Sequence, residues 1–172
     1  MAGLTFELDD LLRAATLGLG ATLVMDLWNQ FLRRAFGIPS LDLRLLGRWM
    51  LHMPAGTFRH AKIGATVPKR FEGGVGWLAH YSIGVALAVG FVLIAPGGWL
   101  ARPTLLPALA WGLVTVVFPF FLMQPALGLG VASARAPRPA QARVKSLATH
   151  AAFGLGLYLA GWAAVWGARV VG

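Results

Sequence analysis

Four stretches of this chain run for about twenty residues with almost no charge: about Ala14 to Leu32, Gly76 to Ile94, about Thr104 to Gln124, and Leu147 to Trp166. At about 1.5 Å per residue, each is long enough as a helix to cross a hydrocarbon layer of roughly 30 Å. The second contains no Asp, Glu, Lys or Arg, and the first contains one acid, Asp26. Small residues in the first stretch, Ala14, Gly18 and Ala21, are spaced for close helix contact. In the fourth, Ala152, Gly156, Ala160 and Ala164 form a similar stripe. Pro107 and Pro119 interrupt the third span and Pro125 stops it, so a kink is expected there.

The connections differ in kind. Pro96-Gly97-Gly98 is a short break, whereas residues 33–75 are too long for a turn. Pro39-Ser40 is a helix-start signal with Ser40 as the expected N-cap. After it Leu41, Leu45 and Trp49, with Leu46 and Met50, fall on one face, and Asp42, Arg44 and Arg48 on another. That pattern predicts a short amphipathic helix lying in the headgroup region. The following HMPAGTFRHAKIGATVPKRFEGG reads as a loop ordered only in part. A second basic loop covers 126–146.

Composition agrees. Hydrophobic residues make up 58% and charged residues 12%, where a soluble domain has about 25% charged. The expected fold class is all-α: a polytopic membrane protein, one integral membrane domain over 1–172, with four transmembrane helices in a bundle and one cytoplasmic interfacial amphipathic helix. The acidic start, with Glu7, Asp9 and Asp10, lacks the basic region and A-x-A site of a secretory signal, so the first span is expected to be retained. Of 15 Lys and Arg, eight fall in 33–75 and four in 126–146. In a four-span chain these loops share a side, which the positive-inside rule makes cytoplasmic, with both termini outside. The net charge of +9 then points to anionic lipid at the cytoplasmic face rather than to nucleic acid, for which no recognition module is present. The absence of cysteine excludes disulfides and thiolate metal sites. Trp28, Trp49, Trp77, Trp99 and Trp166 read as interface anchors near span ends.

Each span delivers a polar group to the cytoplasmic half: Asp26 with Asn29, His80 with Tyr81, Gln124, and His150. An ionisable residue inside a membrane is costly and is by default a functional hypothesis. These six residues form the candidate binding pocket. No motif names a reaction: there is no H-E-x-x-H, C-x-x-C-H or G-K-[ST], so no catalytic residue is assigned and no cofactor is called for. Four readings of the polar groups remain open. They can form a transporter or proton-coupled binding site. His80 and His150 can hold a haem iron, or together with Asp26 a divalent metal. The chain can be an accessory subunit docking a membrane partner, or the groups can be structural hydrogen bonding across helices. A homodimer fits the transport reading. His52 and His60, in the long loop, read as solvated unless that loop folds back over the bundle.

The second and fourth spans share H-x-x-(bulky)-G-(V/L)-(A/G)-L at His80–Leu87 and His150–Leu157. The first and third match less well, through Gly20-Ala-Thr22 and Gly112-Leu-Val-Thr115. That suggests a parallel two-plus-two repeat in which His80 and His150 are related by an axis along the membrane normal. Finally, MDLWNQFLRRAFGIPS, LGRWMLHMP, GWLAHYSIG, PFFLMQPALGLGVASARAP and SLATHAAFGLGLY together resemble a bacterial family of small four-span inner-membrane proteins, domain-of-unknown-function family 2938. The resemblance covers roughly residues 10–165. It implies an inner-membrane location and a helical fold, and it implies no activity, cofactor or site residue.

Overall fold

The computed structural model describes residues 8–171, with the side chains of Leu8 and Val171 excepted; Glu7 of the acidic start lies outside this range. The described chain is helical: α1 (Leu8–Phe36), α2 (Leu43–His52), α3 (Glu72–Ile94), α4 (Leu105–Val114), α5 (Gln124–Ala126) and α6 (Pro139–Val171). Four helical segments are long and apolar enough to cross a membrane: Asp9–Phe36, Glu72–Ile94, Leu105–Ala126 and Pro139–Val170. Each expected span is present, but three of the helices run past the apolar stretch. Hydropathy marks where a helix leaves lipid, whereas hydrogen bonding carries it on into polar sequence. So α3 starts at Glu72, four residues before Gly76, and α6 starts at Pro139, eight before Leu147.

Helix α1 is central, packing against both α3 and α6, while α4 packs against α6. Glycine decides how close these helices come. A Cβ at Gly18 would stand 2.8 Å from the Gly84 carbonyl oxygen, one at Gly112 2.6 Å from Gly154 N, and one at Gly156 2.7 Å from Ala21 Cα. In a membrane such backbone approach replaces the hydrophobic drive that lipid cannot supply. Around these crossings lies the main core: Leu17, Ala21, Met25, Ala88, Phe91, Trp99, Ala108, Phe153 and Leu157. The Trp111 indole closes the ring by donating to the Leu87 carbonyl at 2.9 Å.

Of the two expected interruptions, Pro107 lies in the first turn of α4, where its missing N–H leaves no helical bond unmade, and the break is at Pro119. Helix α4 ends at Val114, and a π-helical turn follows over Pro119–Met123, with Gln124 N–H donating back to Pro119 O. Proline supplies no N–H and disrupts the turn before it, and the wider turn re-pairs the backbone.

One end of the bundle is capped, and here several sequence expectations are corrected. Helix α2 docks on α3: Gly47 and Gly76 approach so closely that a Cβ at Gly47 would lie 2.6 Å from Gly76 N. Its N-cap is Asp42, whose carboxylate accepts from Arg44 N–H at 2.9 Å, and not Ser40, whose hydroxyl instead donates to Asn29 O at 3.4 Å. Arg48, assigned to a polar outer face, is buried. Its guanidinium makes a two-bond fork with Glu72, at 2.8 and 2.9 Å, and donates to the carbonyls of Thr66 and Ile63. The loop after α2 is tied to the bundle end. Trp49 Nε1 donates to Phe58 O at 2.9 Å, His60 N–H to Ala126 O at 2.8 Å and Ile63 N–H to Leu127 O at 3.1 Å. Beneath it lies a second core of Leu46, Trp49, Ile63, Ala79, Ala126 and Leu127. Trp49 and Trp99 are therefore core residues rather than interface anchors, whereas Trp77 and Trp166 are exposed.

Candidate functional site

The polar groups predicted from sequence all lie towards the capped end, but they do not join into one cluster of direct contacts. Asp26 of α1 faces α3, where consecutive residues reach it together. His80 Nε2 is 2.9 Å from Asp26 Oδ1, and the Tyr81 hydroxyl donates to Asp26 Oδ2 at 3.1 Å. Both carboxylate oxygens are thus engaged, as an acid away from bulk water requires. Trp77, one turn before Tyr81, stacks on its ring with centroids 6.0 Å apart. The site is not sealed: the side chains of His80 and Asp26 remain 18% and 24% accessible.

The other polar residues form neutral pairs. The Asn29 side-chain oxygen accepts from Thr149 at 3.1 Å, and the Gln124 amide donates to Ser146 at 3.3 Å. His150 Nδ1 lies 2.8 Å from Thr115 Oγ1, which also donates to Gly112 O at 2.6 Å. A hydroxyl has one proton, and with that proton on Gly112 O the Thr115 oxygen is placed to accept from His150 Nδ1. Sequence reasoning missed these partners, Thr115, Ser146 and Thr149. For Thr115 a signal was available, because it lies where Pro119 interrupts the span and faces the turn that carries His150.

His80 and His150 are thus engaged with different elements, α1 and the C-cap of α4. Among the described residues no group of three His, Cys, Asp or Glu is placed to hold a metal ion. The loop histidines have moved the other way from expectation. His60 is buried and His52 half-buried, with ring centroids 5.0 Å apart. Their Nε2 atoms, like Gln124 Oε1, are buried without a hydrogen-bond partner. Burial, then the neighbouring His52, pushes the His60 pKa below its ordinary value of 6.5.

Fold and polar groups together define a polytopic membrane protein: an all-helical bundle with four potential membrane-crossing segments, a capped end, and an imidazole–carboxylate contact between α1 and α3. Residues 15–164 match the model of the family described as protein of unknown function DUF2938, and the chain belongs to that family. No curated protein and no solved structure matches it.

Proposed function

We propose that this chain is a proton-coupled small-molecule binding or transport protein of a bacterial inner membrane. In this reading Asp26, His80 and Tyr81 are its proton-accepting site, and Asn29, Gln124 and His150 belong to the polar lining of the same half. The observation that carries it is the contrast between the polar pairs. Three are joined by groups that need carry no charge: Asn29 with Thr149, Gln124 with Ser146, and Thr115 with His150. Hydrogen bonds of that kind suffice to hold helices together in lipid. Among the described residues, only at Asp26 is a carboxylate placed inside a span, kept part-accessible and set against an imidazole. A carboxylate beside an imidazole offers a proton two adjoining acceptors within a span, which an amide–hydroxyl pair does not. The basic residues of 33–75 and 126–146 support a cytoplasmic position for the capped end.

The test is proton flux. Purified protein is reconstituted into liposomes that hold a pH-sensitive dye, and a potassium diffusion potential is imposed. Wild type is expected to take up protons faster than empty vesicles, and Asp26→Asn to lose most of that excess. Equal traces from wild type, Asp26→Asn and empty vesicles would overturn the proposal.

A further inference from the structure

The segment from Phe58 to Phe71 looks, at first sight, like a loop that failed to bury its apolar residues. Phe58, Val67 and Phe71 are all exposed, Val67 at 76% and Phe71 at 71%. Yet the segment is fastened from beneath at four places: Trp49 to Phe58, His60 to Ala126, Ile63 to Leu127, and Arg48 to Thr66. Its outward face is therefore a fixed surface. Arg59, Lys62, Lys69 and Arg70 lie on the same segment, all exposed, and residues 58–71 contain no acid. The acid that follows, Glu72, has both oxygens taken by Arg48 and Lys69 N–H. Four positive charges thus stand uncompensated among three outward apolar side chains.

Phe71 shows that this exposure is built in. Its backbone sits at φ 65°, a conformation costly for a bulky side chain and one that persists only where the surroundings enforce it. The enforcing contacts are the Lys69–Glu72 turn and the Glu72–Arg48 fork. They leave the Phe71 ring in the open with the Arg70 guanidinium 4.8 Å from its centroid. Helix α3 starts at the next residue, and exposed Trp77 follows within two turns. The segment therefore lies at the level where a membrane-crossing helix meets the headgroups.

We propose that Phe58–Phe71 is a docking surface for anionic phospholipid, with Arg59, Lys62, Lys69 and Arg70 pairing with headgroup phosphates and Phe58, Val67 and Phe71 seated among the upper acyl carbons. This surface requires only that the chain lies in a membrane, and it is independent of proton coupling at Asp26. Each basic residue near an anionic leaflet is worth about fivefold in affinity, and salt screens the effect.

The test counts lipids retained by detergent-purified protein, using native mass spectrometry during titration with phosphatidylglycerol or phosphatidylcholine. Wild type is expected to hold phosphatidylglycerol at least about tenfold more tightly, and the preference is expected to shrink as salt rises. The fourfold variant R59Q/K62Q/K69Q/R70Q changes only exposed side chains, and it should bind both lipids alike. Phe71→Gly should weaken both lipids while raising the melting temperature, because glycine accepts the left-handed backbone. The control R135Q/R138Q/R143Q alters the other basic loop and should keep the preference. A preference unchanged in the fourfold variant, or lost in the control, overturns the proposal. So does finding that free glycerol phosphate saturates the surface as well as the lipid does, or that a second copy of the chain covers it in crosslinking.

Discussion

Replacing Gly47 by alanine tests the assembly of the capped end with one methyl group. A Cβ there would stand 2.6 Å from Gly76 N and 2.8 Å from the Glu72 carbonyl carbon, where ordinary contact begins at 3.4 Å. The Glu72 carbonyl oxygen is nearer still, so helix α2 must withdraw from α3 by more than the 0.8 Å between 2.6 and 3.4 Å. That displacement carries the Arg48–Glu72 bonds of 2.8 and 2.9 Å past hydrogen-bond reach. It also opens the packing of Leu46 and Trp49 against Ala79. Overpacking of this kind costs about 1–3 kcal/mol, against a gain of about 0.5–1 kcal/mol from replacing glycine within a helix. The net loss, up to about 2.5 kcal/mol, corresponds to a melting temperature lower by up to roughly 10 °C for a chain of this size. Gly74→Ala is the matched control. Gly74 lies in α3, and a Cβ there meets nothing within 4 Å, so that variant should melt at or above wild type. Both are read by thermal unfolding followed through tryptophan fluorescence in one detergent. If Gly47→Ala melts as high as Gly74→Ala, α2 is not docked at this crossing and the account of the cap is wrong.

The buried His52–His60 contact makes the cap sensitive to acid. In the unfolded chain His60 takes a proton near its ordinary 6.5, but in the folded chain burial and then His52 hold its pKa lower. Stability is therefore full above pH 6.5 and falls as pH drops from 6.5 towards the folded value. Melting temperature between pH 7.5 and 5 should show a fall that His60→Gln flattens, and an identical slope in both proteins would refute it. At the Pro119 break, Thr115→Val removes the acceptor for His150 and should cost about 0.6–1.7 kcal/mol. A double-mutant cycle with His150→Phe, read by the same melts, should return that coupling, and additive effects would mean that the bond contributes nothing. Because the chain contains no cysteine, single cysteines report sidedness directly. Ala134→Cys and Gly97→Cys, both at exposed positions, should react with an impermeant thiol reagent from opposite sides of a sealed vesicle. Reaction from the same side would contradict the four-span topology.

What was legible in the sequence follows from which forces act locally. The spans were readable because the solvent sets them: an uncharged run of membrane length has few alternatives to a helix. Pro119 was readable because its missing N–H acts within one turn. The cap was not, because it depends on pairs far apart in the chain, Gly47 with Gly76 and Arg48 with Glu72. Helical periodicity places Arg48 on a polar face, and nothing local reveals that the acid waiting there is 24 residues ahead. Tryptophan carries the same ambiguity. Trp49 and Trp99 sit near span ends as anchors do, but each finds a carbonyl for its indole N–H inside the fold. The loop histidines read as solvated for a related reason: their burial depends on the backbone bonds from His60 and Ile63 to Ala126 and Leu127 at the end of α5.

The internal similarity shows what sequence and structure each contribute to the candidate site. His80 and His150 each stand four residues before a glycine, Gly84 and Gly154, at which two helices cross. On the neighbouring helix those glycines meet Thr22 and Gly112, respectively. One turn beyond each of these lies the histidine's partner, Asp26 four residues after Thr22 and Thr115 three residues after Gly112. The two steps differ by one residue, and the shorter one falls where α4 gives way to the Pro119 turn. Aligning Thr22 with Thr115, as the sequence suggests, therefore pairs the wrong positions; the spatial counterpart of Thr115 is Asp26. Two like frames thus present an imidazole to two different groups. In one frame the partner is a hydroxyl, placed to accept from His150 Nδ1. In the other it is a carboxylate, which the Tyr81 hydroxyl engages as well. On the proposed proton coupling, exchanging the partners, Asp26→Thr with Thr115→Asp, should make proton uptake into liposomes depend on His150 instead of His80, and uptake that still requires His80 would refute the equivalence of the two frames.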